Sequence, residues 1–91
     1  GRGVYARILA DRGHYGEAEE LARSAAAIVA QTDLLSDHAD IQLELSYVLA
    51  AAGKISEAHS AATQALDLYQ RKGNLPGARE SFRYLAQSAS C

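Results

Sequence analysis

The sequence contains three histidines, which are candidates for metal binding. His14, His38 and His59 are far apart, and neither an HExxH pair nor paired cysteines accompany them, so their spacing does not match a metal site. We therefore expect surface histidines in water and no bound metal or cofactor. There is also no G-x-S-x-G elbow, P-loop or Gly-x-Gly-x-x-Gly stretch. Because nucleophilic catalysis and phosphate binding have no support, the sequence predicts that the chain is not an enzyme.

A second group is acidic. Asp37, Asp40 and Glu44 are spaced i, i+3 and i+7, which places them on one face of a helix. Such a cluster could receive a cation or a basic peptide. The simpler interpretation is a solvated acidic face that gains from the helix dipole.

Charge is distributed unevenly along the chain. Residues 1–30 are neutral, residues 31–70 carry −5 and residues 71–91 carry +3. The basic end holds Arg71, Lys72, Arg79 and Arg83, but four charges without a DNA-binding motif, on a chain of net charge −2, argue against nucleic acid. A hypothesis that fits the pattern better is head-to-tail self-association, between copies of the chain or between parts of a longer array.

Composition favours a small all-α protein. The chain has 91 residues, enough for one domain, and alanine supplies 19 of its 44 hydrophobic residues. No apolar run approaches the roughly 18 residues of a membrane span, and no signal peptide is evident. The only cysteine, Cys91, cannot form an internal disulfide, so we expect a cytoplasmic protein without a membrane partner. Methionine is absent even at position 1, which indicates a fragment of a longer chain.

The sequence contains an internal repeat. The segment from Gly13 to Ala18 recurs 40 residues later from Gly53 to Ala58, and a degenerate third copy begins at Gly73. Each glycine follows an apolar-periodic segment and precedes another, as a helix C-cap does. The pattern predicts about five antiparallel helices, near residues 4–12, 15–31, 37–52, 55–72 and 75–89.

The helix starts have candidate caps. Ser36 or Asp37 is placed to cap the third helix, and Asn74 is placed to cap the fifth. Pro76 would lie in the first turn of the fifth helix, where its missing N–H costs nothing.

These residues resemble the tetratricopeptide repeat (TPR), whose turn and second helix carry a glycine, an aromatic residue two positions on and an alanine three further. The first copy has Gly13, Tyr15 and Ala18, and the second has Gly53, Ile55 and Ala58. Small residues also stand where the helices of a TPR pair cross: Ala6, Ala25, Ser46 and Ala65. Three features differ from the family: its tryptophan is replaced by Arg2 in the first copy and by Gln42 in the second, its usual proline after the second helix is absent, and the period of 40 exceeds about 34.

The resemblance implies antiparallel helical hairpins stacked as a right-handed superhelix. It covers a single domain, residues 1–91, with repeat 1 near 4–31, repeat 2 near 37–72 and a terminal helix near 75–89. The end of the fourth helix is also similar to terminal repeats of large bacterial signal-transduction and transcription regulators.

The same resemblance implies a concave binding face for a protein or peptide. Tyr47 is the expected anchor, and the alternative is that Tyr47 packs against a neighbouring repeat or the fifth helix. The expected function is a protein–protein interaction scaffold within a larger regulatory protein. The alternative is a sensor of a small ligand or peptide that relays its state to an effector domain elsewhere. The full set of expected concave-face residues is Arg7, Asp11, Asp40, Leu43, Tyr47 and Ala51.

Overall fold

A computed structural model describes the backbone of residues 2–89 and the side chains of residues 5–87, so Cys91 lies outside the described residues. Within this part the chain forms five α-helices and no strand, which confirms the predicted all-α class. None of these helices is both long enough and apolar enough to cross a membrane. The helices are α1 (Arg2–Asp11), α2 (Tyr15–Val29), α3 (Leu35–Ala51), α4 (Ile55–Lys72) and α5 (Leu75–Ala89).

Three turns share one geometry. Gly13, Gly53 and Gly73 have φ angles of +86°, +82° and +80°, in the left-handed region where a side chain is strained. At the second turn, the Gly53 N–H donates to the Ala50 carbonyl at 3.0 Å and the Lys54 N–H donates to the Leu49 carbonyl at 2.9 Å. The other two turns repeat this pair of hydrogen bonds, which is the Schellman motif. The predicted equivalence of the Gly13 and Gly53 turns is therefore confirmed.

The helix starts agree with the sequence in one case and differ in another. Asn74 caps α5, because its Oδ1 accepts the Gly77 N–H at 3.0 Å. The capping of α3 by Ser36 or Asp37 is wrong, since α3 already begins at Leu35 and its start has no side-chain cap. Thr32 orders the turn instead, because its hydroxyl accepts the Leu34 N–H at 3.2 Å. The earlier start brings Leu35 against the core.

The helices form a flat, open arrangement. Helix α3 contacts all four other helices, α1 also contacts α2, and α5 also contacts α4. The Cα positions extend over 34 × 33 × 17 Å, and the short dimension matches two layers of helices packed about 8–10 Å apart. Neither α1 nor α2 packs against α5, so the last helix lies apart from the first hairpin.

Alanine lines most of the core. The four small residues expected at helix crossings are all buried, so helices approach closely there. Leucine, valine and tyrosine fill the space that remains. One buried cluster contains Ala6, Ala10, Ala18, Ala22, Leu45, Val48, Leu49, Ala58 and Ala61, and the other contains Ala39, Leu43, Ala65, Leu68 and Tyr69.

Some large apolar residues of the periodic segments are exposed instead of buried. Tyr15, Ile55 and Leu75 are each the first residue of a helix, at the end of the stripe. Phe82 is 66% exposed because it lies on a side of α5 that no described helix covers. This side of α5 is an apolar surface without a partner within the described chain.

Candidate functional site

Tyr47 lies at the centre of side chains from α1, α3 and α5. Its ring meets the Tyr84 ring edge to face, with centroids 5.1 Å apart. The guanidinium carbon of Arg7 lies 4.0 Å from the Tyr47 ring centroid, within cation–π range. The Tyr47 hydroxyl donates a long hydrogen bond of 3.4 Å to Oε2 of Glu80. Tyr47 therefore packs against the fifth helix, as the alternative interpretation held, while part of its side chain stays at the surface.

Carboxylates surround this aromatic pair. Oε1 of Glu44 lies 3.7 Å from Nη1 of Arg7, whereas Oε2 is buried and has no hydrogen-bond partner among the described residues. Burial raises the pKa of the Glu44 carboxyl, and Arg7 opposes that rise. Glu80 and Asp40 raise this pKa further through like charge. We name this surface the Tyr47 face and define it by Arg7, Asp40, Glu44, Tyr47, Glu80 and Tyr84.

Asp40 connects the Tyr47 face to the core. Its Oδ1 accepts a hydrogen bond from the hydroxyl of Tyr69, a buried residue of α4. Burial, followed by this hydrogen bond, raises the pKa of Tyr69 above its ordinary value. The Tyr69 hydroxyl therefore stays protonated, and able to donate to Asp40, to a higher pH than an exposed tyrosine would.

The six expected concave-face residues do not all lie on one surface of the structure. Arg7, Asp40 and Tyr47 belong to the Tyr47 face. Leu43 requires a correction, because it is only 3% exposed and packs in the second core cluster with residues of α4. Asp11 and Ala51 are exposed at the last residues of α1 and α3.

Sequence reasoning did not place Glu80 and Tyr84 in the site, although a signal was present. The same offset of 40 residues that relates Gly13 to Gly53 also relates Asp40 to Glu80 and Glu44 to Tyr84. Helices α3 and α5 are thus related by the repeat period, and they contact each other. Applying the period to the acidic face of the third helix would have identified both residues.

A second polar group joins α2 to the start of α4. Oε1 of Glu19 accepts a hydrogen bond from Lys54, and Oε2 accepts one from Arg23, both at 2.8 Å. These bonds lower the pKa of the Glu19 carboxyl. Arg23 also reaches Oε1 of Glu57 at 3.1 Å. Because these ion pairs are partly in water, they contribute little to the stability of the fold.

The three histidines differ in exposure. His14 and His59 are exposed and His38 is partly buried. No three side chains of His, Cys, Asp or Glu within the described residues are grouped so as to hold a metal ion.

The fold and the site together define an all-α protein of helical hairpins with an acidic and aromatic face. Comparison with known protein families, with curated proteins and with solved structures gives no match.

Glu44→Gln is expected to raise the free energy of unfolding at neutral pH, because the amide carries no charge and burial disfavours the charged form of the Glu44 carboxyl. The sign follows from the raised pKa: the folded chain holds this proton more tightly than the unfolded chain does. The ionised Glu44 carboxyl therefore lowers the free energy of unfolding. This effect grows as the pH rises from the ordinary pKa of 4.5 through the raised pKa of the folded chain. Below that window both states are protonated, and the gain should vanish.

Thermal unfolding of the variant and the parent chain across this pH range measures the effect. Glu20→Gln is the matched control, because Glu20 is exposed and forms no ion pair with another described residue. A Glu44→Gln gain of the same size at acidic and neutral pH would show that the carboxylate charge is not its cause.

Proposed function

We propose that this chain is a TPR-like interaction module that binds a protein partner through the Tyr47 face, as part of a larger bacterial regulatory protein. The hairpin turns support the repeat assignment, because Gly13 and Gly53 have the same φ region and the same hydrogen bonds. Repeat modules of stacked hairpins use the surface of equivalent helices to bind partners. Here the equivalent helices are α1, α3 and α5, and α3 contacts both of the others.

The observation that carries the proposal is the composition of the Tyr47 face. It combines the partly exposed rings of Tyr47 and Tyr84 with three carboxylates and one arginine. Aromatic rings supply contact area at small entropic cost, and the excess of negative charge attracts a basic partner. We therefore expect a segment of the partner that carries lysine or arginine next to apolar residues.

Titration with two synthetic peptides, followed by amide chemical shifts, tests this function. One peptide alternates lysine or arginine with apolar residues, and the other replaces each basic residue with glutamate. The basic peptide should shift amide signals of the Tyr47 face, and the acidic peptide should not. Equal binding of both peptides, or shifts confined to other surfaces, would refute the proposal.

Tyr47→Ala should weaken binding of the basic peptide at least about tenfold, because the variant loses the ring that contacts Tyr84 and Arg7. It should also lower the free energy of unfolding by about 1–3 kcal/mol, since the ring is partly buried. Tyr47→Phe is the matched control: it keeps the ring and loses only the long hydrogen bond to Glu80, so both quantities should stay close to those of the parent chain.

If Tyr47→Phe weakens binding as much as Tyr47→Ala does, the hydroxyl and not the ring is the anchor. Chemical denaturation of each variant shows whether weaker peptide binding results from the lost contact or from unfolding of the chain.

A further inference from the structure

The last hairpin presents an apolar groove with a basic edge. Leu66 of α4 and Leu75, Ala78 and Phe82 of α5 line an open groove of about 550 Å³. Leu75 and Phe82 are largely exposed there. Arg79 and Arg83 also line it, and neither forms an ion pair with another described residue. We name this surface the α4–α5 groove.

The first hairpin presents a surface of opposite charge. Tyr5 and Leu9 of α1 and Leu21 of α2 form an apolar patch, and Tyr5 is 58% exposed. Glu17 and Glu20 lie beside these residues, and neither pairs with a cation of the described chain. We name this surface the α1–α2 patch.

We propose that the α4–α5 groove of one copy of this chain binds the α1–α2 patch of a second copy, head to tail. The occupant is inferred from complementarity, because each surface contains apolar residues and the unpaired charges beside them are opposite in sign. Arg79 and Arg83 are one helical turn apart, and so are Glu17 and Glu20, so two ion pairs can form together. Burial of the apolar residues supplies the main driving force, while the charges set the orientation.

The position of the two surfaces determines the kind of assembly. Helices α1 and α2 make no contact with α5, so each copy has one groove and one patch at separate ends. A contact between different surfaces is heterologous, and such contacts build rings or open chains rather than twofold dimers. None of the residues that line the groove or the patch belongs to the Tyr47 face, so this inference does not depend on the proposed function.

Sedimentation of the full chain tests the proposal. The chain should associate reversibly at concentrations up to about 1 mM. Association should weaken as the ionic strength rises from about 0.01 M to 1 M, because the Debye length falls from about 30 Å to 3 Å. A chain that stays monomeric at the highest concentration and lowest salt would overturn the proposal, because a second copy would then not occupy the groove.

Two charge-reversed variants make the test specific. Arg79→Glu/Arg83→Glu makes both surfaces acidic, and Glu17→Lys/Glu20→Lys makes both basic. Each variant alone should associate at least about tenfold more weakly than the parent chain, and an equimolar mixture of the two should recover association. All four positions are exposed, and circular dichroism checks that the helices are retained.

Lys72→Glu is the control for a change of net charge in the same region, because Lys72 is exposed and does not line the groove. It should associate more tightly than the Arg79→Glu/Arg83→Glu variant. Association that is unchanged in both double variants, or a mixture that fails to recover it, would assign the contact to other surfaces and overturn the proposal.

Discussion

Replacing Leu49 with alanine is expected to lower the free energy of unfolding by about 2–5 kcal/mol, the largest loss that we predict for a single substitution in this chain. Leu49 is only 1% exposed and is one of the few large side chains in a core cluster made mostly of alanine. Its carbonyl also accepts the Lys54 N–H in the turn that ends α3. Alanine neighbours have no long side chains that could move into the space, so the cavity should persist.

Chemical denaturation followed by circular dichroism at 222 nm measures this loss. Small domains are stable by only about 5–15 kcal/mol, so the variant could be partly unfolded at room temperature. Leu75→Ala removes the same atoms from a position that is 64% exposed, and it should change the stability by less than about 0.5 kcal/mol. If Leu49→Ala lowered the free energy of unfolding by as little as Leu75→Ala is expected to, Leu49 would not be a core residue.

The sequence was informative about local structure because its signals are local. A glycine after an apolar-periodic segment predicts a left-handed C-cap, and Gly13, Gly53 and Gly73 all have positive φ. Asn74 lies three residues before the N–H that it caps, so its role could also be predicted. Because the sequence around Gly13 recurs around Gly53, the same turn could be predicted at both positions.

Burial on the outer faces could not be predicted in the same way. Apolar periodicity shows which face of a helix prefers burial, but it does not show whether a neighbouring helix covers that face. Phe82 continues the stripe of α5 and is exposed, whereas Leu43 was expected at a surface and packs against α4. The difference depends on where helices that are distant in sequence cross.

The candidate site was predicted only in part for the same reason. Tyr47 was identified from its own helix, but its contacts with Arg7 and Glu80 join residues that are far apart in the chain. Charge alone also did not show that Glu44 is partly buried, because burial depends on the side chains that α1 and α5 place over it. The repeat offset was the one sequence signal that linked α3 to α5.

Gly77→Ala is expected to lower the free energy of unfolding by about 1–3 kcal/mol, although alanine is the better helix former by about 1 kcal/mol. A Cβ at this position would lie 2.7 Å from Cγ of Tyr69, closer than carbon atoms can approach. The Tyr69 ring is buried, and its hydroxyl is bonded to Asp40, so the ring cannot move aside freely. Helix α5 must therefore shift away from α4.

Gly16→Ala is the matched control, because a Cβ at Gly16 in α2 would meet nothing within 4 Å. This substitution should stabilise the chain by up to about 1 kcal/mol, so the two glycine variants should change the melting temperature in opposite directions. A shift of α5 would also carry Tyr84 away from Tyr47, and the amide signals of the Tyr47 face should change in Gly77→Ala alone. Stabilisation by Gly77→Ala would show that α5 does not pack closely on Tyr69, and the contacts of Tyr84 and Glu80 with Tyr47 would lose their support.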